Sequence, residues 1–290
     1  MQKITRGALI AGAGAVAVGV GIALNDPERT PRAGDALIAR RVREVPLDNP
    51  RAGAWVGDGE TVLPLVAQQL AVPKLAEANV PDIRVAALHD GITLALRLSW
   101  EQGLPNELSG ISRFQDAVAV MLPAVGPAEP PVTMGAAGKP VHILQWRASW
   151  QRDVELGRSQ GVVDEFPNVV RDLDPGDILP PEQALLYTAG RAAGNLMSAA
   201  KRTTPVEEVV AEGFGSTTSL EQQRAGGAAV HAEGRWWTVI SLPMSRGGGL
   251  APITAGGTWP VAFAVWSGGD ARNRGGRKHY AAWTPMAVAA

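Results

Sequence analysis

Met134 and the pair Lys278-His279 are the residues whose types and surroundings point to chemistry. Met134 lies in a loop led by Pro130-Pro131 and closed by Gly135, just ahead of an apolar stretch. A methionine held in such a loop can aim its thioether into the mouth of a cavity, where sulfur serves as a ligand for a soft metal. It can equally well pack the loop, and the spacing alone leaves both interpretations open.

Lys278 and His279 compete for one position at the end of a Gly/Arg-rich loop. Successive side chains of a strand face opposite ways, so we expect only one of the two to point into a β-sandwich. A lysine that points inward needs a partner or must lose its charge, because a buried ammonium is costly. Binding to a metal neutralises it, since the amine gives up its proton and donates its lone pair. A solvated lysine at the start of a strand is the alternative.

Hydrolytic and thiolate chemistry find no support in the sequence. The four histidines lie in no HExxH motif, beside no GxSxG elbow and at no paired metal-ligand spacing. We expect His89 and His231, next to predicted turns, to be exposed, and His142, on an apolar stretch, to be a hydrogen-bonded core or rim histidine. The absence of cysteine excludes disulfides, thiolate zinc sites, cysteine-ligated iron–sulfur clusters and covalent c-type haem.

Short strands would position these residues. Residues 83–88 and 92–98 flank His89-Asp90-Gly91, and Asp-Gly favours the tight turn of a β-hairpin. The other predicted elements are strands at residues 116–122, 141–146, 228–231, 236–242, 261–266 and 280–283, and one helix at residues 181–201, interrupted by Gly190 and Gly194. Short strands with Gly/Asp turns and one helical excursion predict a mainly β protein, an antiparallel β-sandwich with a helical insertion.

The 290 residues suit one large domain behind a targeting segment. Lys3 and Arg6 precede an uncharged apolar run, so residues 1–24 are predicted to be a signal peptide or a membrane anchor. Positive charge before the run places the rest of the chain outside the cytoplasm, in the periplasm or its equivalent. The other predicted divisions are a linker or extended arm at residues 25–60 and the sandwich domain at 61–290, in which 151–225 form a long connection with the helix.

Two further function classes are disfavoured. The net charge of −1 provides no basic field for nucleic acid. Residues 12–17 fit a GxGxxA dinucleotide fingerprint, but that motif needs a preceding strand and a βαβ unit. Here it lies within the apolar N-terminal run, so an export segment explains it.

Several segments, weak singly but specific in their order over residues 50–285, carry a family resemblance. They are ALHDG at residues 87–91, LRLSW at 96–100, RFQDAVA at 113–119, MG at 134–135, PVHILQW at 140–146, AGRAAGN at 189–195, VAEGFG at 210–215, AFAVW at 262–266 and RGGRK at 274–278. With them the chain resembles the haem b-binding γ subunits of type II dimethyl sulfoxide reductase-family molybdoenzymes. These include ethylbenzene dehydrogenase, selenate reductase, chlorate reductase and dimethylsulfide dehydrogenase.

The resemblance implies a β-sandwich that holds one non-covalent haem b between methionine and lysine axial ligands. By position these are Met134 and Lys278. Met121 is the alternative methionine, and His279 or His142 the alternative nitrogen donor. The remaining implied residues are the loop arginines Arg272, Arg274 and Arg277, which either pair with the haem propionates or only keep the loop soluble.

The implied function is electron transfer without catalysis in this chain, because iron with two strong-field axial ligands has no open site for substrate. The implied partners are a molybdopterin catalytic subunit, an iron–sulfur subunit, and a cytochrome or membrane quinone system. The N-terminal run departs from the family type, since it lacks a twin-arginine signal and is long enough to anchor. The alternative is a non-catalytic carbohydrate-type binding module, which would present some of the nine tryptophans as exposed coplanar faces.

Overall fold

In the computed structural model, the described residues are 36–56, 60–69, 72, 74–75, 77–108, 110, 113–170, 178–199, 201–269 and 276–290. The predicted signal or anchor at residues 1–24 lies outside them, as do Arg272 and Arg274. Within these ranges, none of the helices has the length and apolar character needed to cross a membrane.

The described residues are mainly β, which confirms the predicted fold class. The strands are β1 (Leu37–Arg41), β2 (Thr61–Pro64), β3 (Val66–Ala67), β4 (Asp82–His89), β5 (Thr93–Glu101), β6 (Ala117–Pro123), β7 (Val141–Arg147), β8 (Val206–Ala211), β9 (Thr218–Ser219), β10 (Gly226–Ala232), β11 (Arg235–Pro243), β12 (Thr258–Trp266), β13 (His279–Tyr280) and β14 (Thr284–Val288). The α-helices are α1 (Ala148–Leu156), α2 (Val162–Glu165), α3 (Pro181–Ala184) and α4 (Ala189–Ala192). Single 3₁₀ turns lie at Gly53–Trp55, Leu185–Tyr187 and Leu196–Ser198.

Strand β12 joins the two layers of the sandwich. Its residues 258–261 pair with β14 in sheet A, which runs β10-β11-β5-β4-β1-β14-β12. Its residues 262–266 pair with β6 in sheet B, which runs β12-β6-β7-β8-β9 with β13 along the other side of β12. A strand that switches sheets in this way forms a corner between them. Most neighbours are antiparallel, as predicted, but β1 lies parallel to both β14 and β4.

The core between the sheets is centred on three tryptophans. Trp100 of β5 and Trp236 of β11 come from sheet A, and Trp146 of β7 comes from sheet B. Their ring centroids lie 5.0 to 6.4 Å apart, in edge-to-face and stacked arrangements that aromatic rings favour. Trp236 donates its indole N–H to buried Asp116 at 2.9 Å, so the polar atom of that ring is satisfied inside the core.

The prediction of one helix over residues 181–201 is wrong. Gly194 adopts a φ of +68°, which ends helical geometry there. A Cβ on Gly190 would collide with the side chain of Ser198, so the chain folds back on itself at a point where only glycine fits. Asn195 then caps a new turn by accepting a hydrogen bond from the Met197 N–H at 2.9 Å. Short helical turns therefore replace the continuous helix.

The hairpin predictions are confirmed by β4–β5 and β10–β11. The predicted strand at residues 280–283 is only partly correct, since β13 ends at Tyr280 and the chain turns before β14. Strands β1 and β8 and helix α1 were not predicted. Strand β1 enters between β14 and β4, so its place is set by partners from opposite ends of the chain.

Candidate functional site

Strands β6 and β12 of sheet B are apolar on both faces. Every position of β6 is buried, although only alternate side chains of a strand can face sheet A. Val118 and Val120 point into the core between the sheets, whereas Ala119 and Met121 point the other way. Strand β12 alternates in the same manner. The outer face of sheet B is therefore built to lie against something other than water.

A cleft of about 120 Å³, open at its mouth, lies on this outer face. Three alanines and Met121 form its floor, because Ala264 of β12 pairs with Ala119 of β6, and Ala262 pairs with Met121. The residues that line it are Ala119, Met121, Val132, Met134, Ile143, Gln145, Val209, Thr217, Ala262, Phe263, Ala264, Trp266, Lys278, Tyr280 and Ala281. Its mainly apolar lining, with a few polar side chains, is typical of a small-molecule or cofactor site.

Met134 is held in the cleft wall by an unusual backbone. Its φ is +72°, a left-handed conformation that costs a residue with a side chain roughly 1–3 kcal/mol and that tends to occur at functional sites. The N–H of Gly135 donates to the Pro131 carbonyl at 2.9 Å, and the N–H of Gly213 donates to the Met134 carbonyl at 2.8 Å. The side chain packs on the apolar cluster that includes Met121. The loop thus fixes the position of the thioether.

Lys278 and His279 face opposite sides of β13. His279 is fully buried in the sandwich, where its Nε2 accepts the Asn79 N–H at 3.2 Å and its Nδ1 lies 3.4 Å from the Val265 carbonyl. Lys278 faces outward into the cleft, as does Tyr280 two residues on. The expectation that one of the pair would point into the sandwich is correct. The inward side chain is His279, whereas Lys278 lines the cleft on the outer face of sheet B.

The Lys278 amine is in an environment that disfavours its charge. The side chain is half-buried among apolar residues, and this burial alone lowers the pKa of the amine. None of the carboxylates in the described part of the chain pairs with it. An amine in this setting gives up its proton more readily than a solvated lysine does and can then donate its lone pair.

The other candidate donors have separate positions. Met121 lines the same cleft, so both methionines remain in reach of it. His142 is fully buried on the inner side of β7, with its Nε2 3.1 Å from the Glu208 carboxylate, as expected of a core histidine. His89 is fully buried, which corrects the expectation that it is exposed. His231 is half-buried, with Nε2 2.6 Å from the Gln102 carbonyl. None of these three rings lines the cleft.

Among the loop arginines, Arg277 is half-buried and its guanidinium donates to the Val72 carbonyl. Three residues of this region are not among the predicted site residues. Gln145 and Tyr280 line the cleft, and Arg147 donates to Gln145 at 3.1 Å. One signal for them was present in the sequence. Gln145 and Arg147 are two residues apart on one predicted strand, so their side chains share a face.

The side chains that line the cleft are suited to a metal that already carries most of its ligands, and less to a bare ion. No group of three or more His, Asp or Glu side chains that could hold a bare ion occurs in the described ranges. The cleft instead is lined by the thioether of Met134, the amine of Lys278 and the three alanines of its floor, and sulfur and neutral amine nitrogen are donors that suit a metal already held by a ring. These residues fit an iron porphyrin.

Fold and cleft together define a mainly β protein with an apolar cleft on the outer face of one sheet. The chain belongs to the ethylbenzene dehydrogenase family, which matches residues 52–279 and so includes both Met134 and Lys278. It is also 25% identical over 262 residues to a Haloferax mediterranei protein named as a respiratory nitrate reductase heme subunit, ORF7, with 86% of this chain and 75% of that protein covered.

Solved structures with a distant likeness are carbohydrate-binding modules of family 9 from Caldicellulosiruptor kristjanssonii. The module in complex with glucose has a TM-score of 0.39 at 8% identity and covers 87% of this chain and 94% of its own. The module with cellotriose has a TM-score of 0.38 at the same identity, with 87% and 93% covered. Likenesses at this level carry no inference about ligands. All tryptophans of this chain are buried or half-buried, so the exposed coplanar faces expected of a carbohydrate module do not occur.

Proposed function

We propose that the chain is an electron-transfer subunit that holds one non-covalent haem b in the cleft, with Met134 and Lys278 as the axial ligands. The observation that carries this proposal is that the two residues, which lie far apart in sequence, line one apolar cleft on the outer face of sheet B. Family membership and the name of the Haloferax relative support it.

The part of Met134 is to present sulfur from a rigid position. Its left-handed backbone and the hydrogen bonds that hold the loop restrict the side chain before any ligand arrives. A ligand fixed in this way loses little conformational entropy on binding. Thioether ligation also tends to raise the reduction potential of haem iron.

The part of Lys278 is to donate a neutral amine. The apolar cleft lowers the pKa of the amine by desolvation, so less free energy is needed to remove its proton than in water. The alternative nitrogen donors His142 and His279 face the interior of the sandwich and hold hydrogen-bond partners there. Tyr280 and Gln145 supply the polar groups of the cleft.

A haem with both axial positions filled exchanges one electron and offers no position for substrate. The proposed subunit is therefore not an enzyme by itself. Bond-making belongs to a molybdopterin catalytic subunit, with an iron–sulfur subunit as the near electron partner and a cytochrome or membrane quinone system as the far one. Arg274 and Arg277 remain predicted partners of the haem propionates. The predicted location is outside the cytoplasm, with residues 1–24 as signal or anchor.

The test is the absorption spectrum of the full chain produced with ample haem. We expect a red protein whose reduced form has sharp low-spin bands, with haem that acidic acetone extracts. Met134→Ala and Lys278→Ala should each give a high-spin spectrum or lose the haem. Met121→Ala is the matched control, because it removes the other methionine of the same cleft and should stay low-spin.

Three results would contradict the proposal in distinct ways. A colourless protein would rule out haem binding. A high-spin change in Met121→Ala, with none in Met134→Ala, would move the sulfur ligand to the floor of the cleft. An unchanged spectrum in Lys278→Ala would remove the lysine as a ligand.

A further inference from the structure

A stack of two guanidinium groups on one indole lies beside the cleft. The guanidinium of Arg147 is 4.3 Å from the Trp150 ring centroid, and that of Arg202 is 3.7 Å from it. Trp150 is buried at the start of α1, directly after β7. Guanidinium–indole stacking of this kind holds an arginine in place while leaving its N–H groups, which lie in its plane, free to donate.

The stacked Arg147 reaches the edge of the cleft. It lies on the outer face of β7 with Gln145, and its Nη2 donates to the Gln145 Oε1 at 3.1 Å. Gln145 is itself part of the cleft lining. Across the sheet, Arg147 pairs with Ala117, which pairs with Trp266 at the far wall of the cleft. Only a small side chain therefore separates Arg147 from that wall.

Among the described residues, none of the carboxylates forms an ion pair with Arg147. Within the described residues its guanidinium donates to the Gln145 amide and to the Met197 thioether at 3.7 Å, and to no carboxylate. Glu207 is near enough to favour the charge, but its Oε1 is taken by the Ser219 hydroxyl at 2.5 Å. Burial lowers the pKa of Arg147, so this charge is held at a cost that an anion would offset.

We propose that Arg147, oriented by Gln145 and Trp150, binds a propionate carboxylate of the haem at this edge of the cleft. The inference rests on the proposed function and adds to it a binding residue and the orientation of the ring. A carboxylate bound here would accept from the free N–H groups of the fork, the arrangement that guanidinium and carboxylate favour. The Gln145 end of the cleft is then the end where the ring's charged edge lies.

The test combines a protein change with a ligand change. Haem and haem dimethyl ester, which lacks the carboxylate charges, are titrated into the haem-free full chain and into its Arg147→Gln variant. We expect Arg147→Gln to weaken haem binding roughly 10- to 100-fold, the range for a hydrogen bond to a charged group. The ester should bind both proteins with nearly the same affinity. Arg147→Lys should recover part of the loss for haem.

Arg152→Gln is the control, because Arg152 lies on α1 with Trp150 and pairs with Glu155 at the surface, so both ligands should bind this variant as they bind the wild type. An equal loss of haem and ester in Arg147→Gln would overturn the proposal and assign Arg147 a structural part. No loss for either ligand would also overturn it. If Arg147→Gln does not fold, Gln145→Leu is titrated in its place. An equal loss of affinity for haem and ester, or no loss for either, would again overturn the proposal. Failure of the wild type to bind haem would instead contradict the proposed function.

Discussion

Lys278 and His279 are adjacent in sequence and lie on opposite faces of sheet B. His279 accepts the Asn79 N–H inside the sandwich, whereas the Lys278 amine enters the apolar cleft on the outside. The two-residue period of the strand makes this division obligatory, and the hydrogen bonds of His279 hold the register. Any substitution that slips β13 by one residue would exchange the two side chains and destroy the cleft.

Lys278 should contribute increasing stability to the haem-free protein as the pH rises toward 10.5, against an opposite contribution from Tyr280, whose pKa is raised by burial. The pKa of Lys278 in the folded chain is lower than its value of 10.5 in the unfolded chain. At a pH between these two pKa values, the folded chain therefore holds fewer protons than the unfolded chain. The unfolding free energy then rises with pH across this window, and below it the full penalty for a buried ammonium remains. Urea unfolding at stepped pH values measures the slope. Lys278→Met should reduce it, and exposed Lys139→Met should not.

Gly135→Ala should be more damaging than Gly138→Ala in the same loop. Both glycines have a left-handed φ, +77° and +73°, which costs alanine about 1 kcal/mol. At Gly135 a Cβ would also lie 2.5 Å from the Lys139 carbonyl, whereas at Gly138 it meets nothing within 4 Å. We expect Gly135→Ala to cost about 2 kcal/mol more in thermal unfolding, at the upper end of the strain range, and to disturb the low-spin spectrum. Equal losses of stability in the two variants would show that the contact of the added Cβ with the Lys139 carbonyl does not destabilise the protein.

Met134→Gly should be more stable than Met134→Ala. In extended or helical backbone alanine is the better residue, but at a φ of +72° the Cβ is strained. We expect a difference of about 1 kcal/mol in favour of glycine in the haem-free protein. Chemical unfolding of the two variants measures it, and both should lack the low-spin spectrum. If Met134→Ala is instead the more stable variant, the loop relaxes to another backbone conformation once the methionine is replaced.

Acid should destabilise the protein through His142. Burial lowers the pKa of this ring, and nearby Arg246 lowers it further, while the hydrogen bond and charge of Glu208 oppose the shift. Below 6.5 the unfolded histidine takes up a proton that the folded ring resists, so the unfolding free energy falls as the pH drops from 6.5 through the folded pKa. Unfolding curves at pH 7, 6 and 5 should show a shallower acid slope for His142→Gln. A slope unchanged from the wild type would place the acid sensitivity elsewhere.

Local patterns in the sequence predicted much of the β framework. The Asp90-Gly91 turn defines the β4–β5 hairpin because its conformational preference is local, and the Ala232-to-Arg235 turn does the same for β10–β11. The prediction of a continuous helix over residues 181–201 is wrong, because the close packing of Gly190 on Ser198 outweighs the helix preference of the alanine-rich sequence. The burial of His89 was missed for a similar reason: a residue beside a turn is covered only if another part of the chain lies over it.

The sequence by itself determined the fold class, the hairpins, and the alternation that separates Lys278 from His279, because each depends on neighbours in the chain. It also marked Met134 and Lys278 as candidate ligands, through family resemblance. Tertiary structure alone decided that the cleft lies outside sheet B, that both residues line it, and that Arg147 stands at its edge. Which face of a doubly apolar strand meets the core depends on where distant strands pair, and no local pattern encodes that.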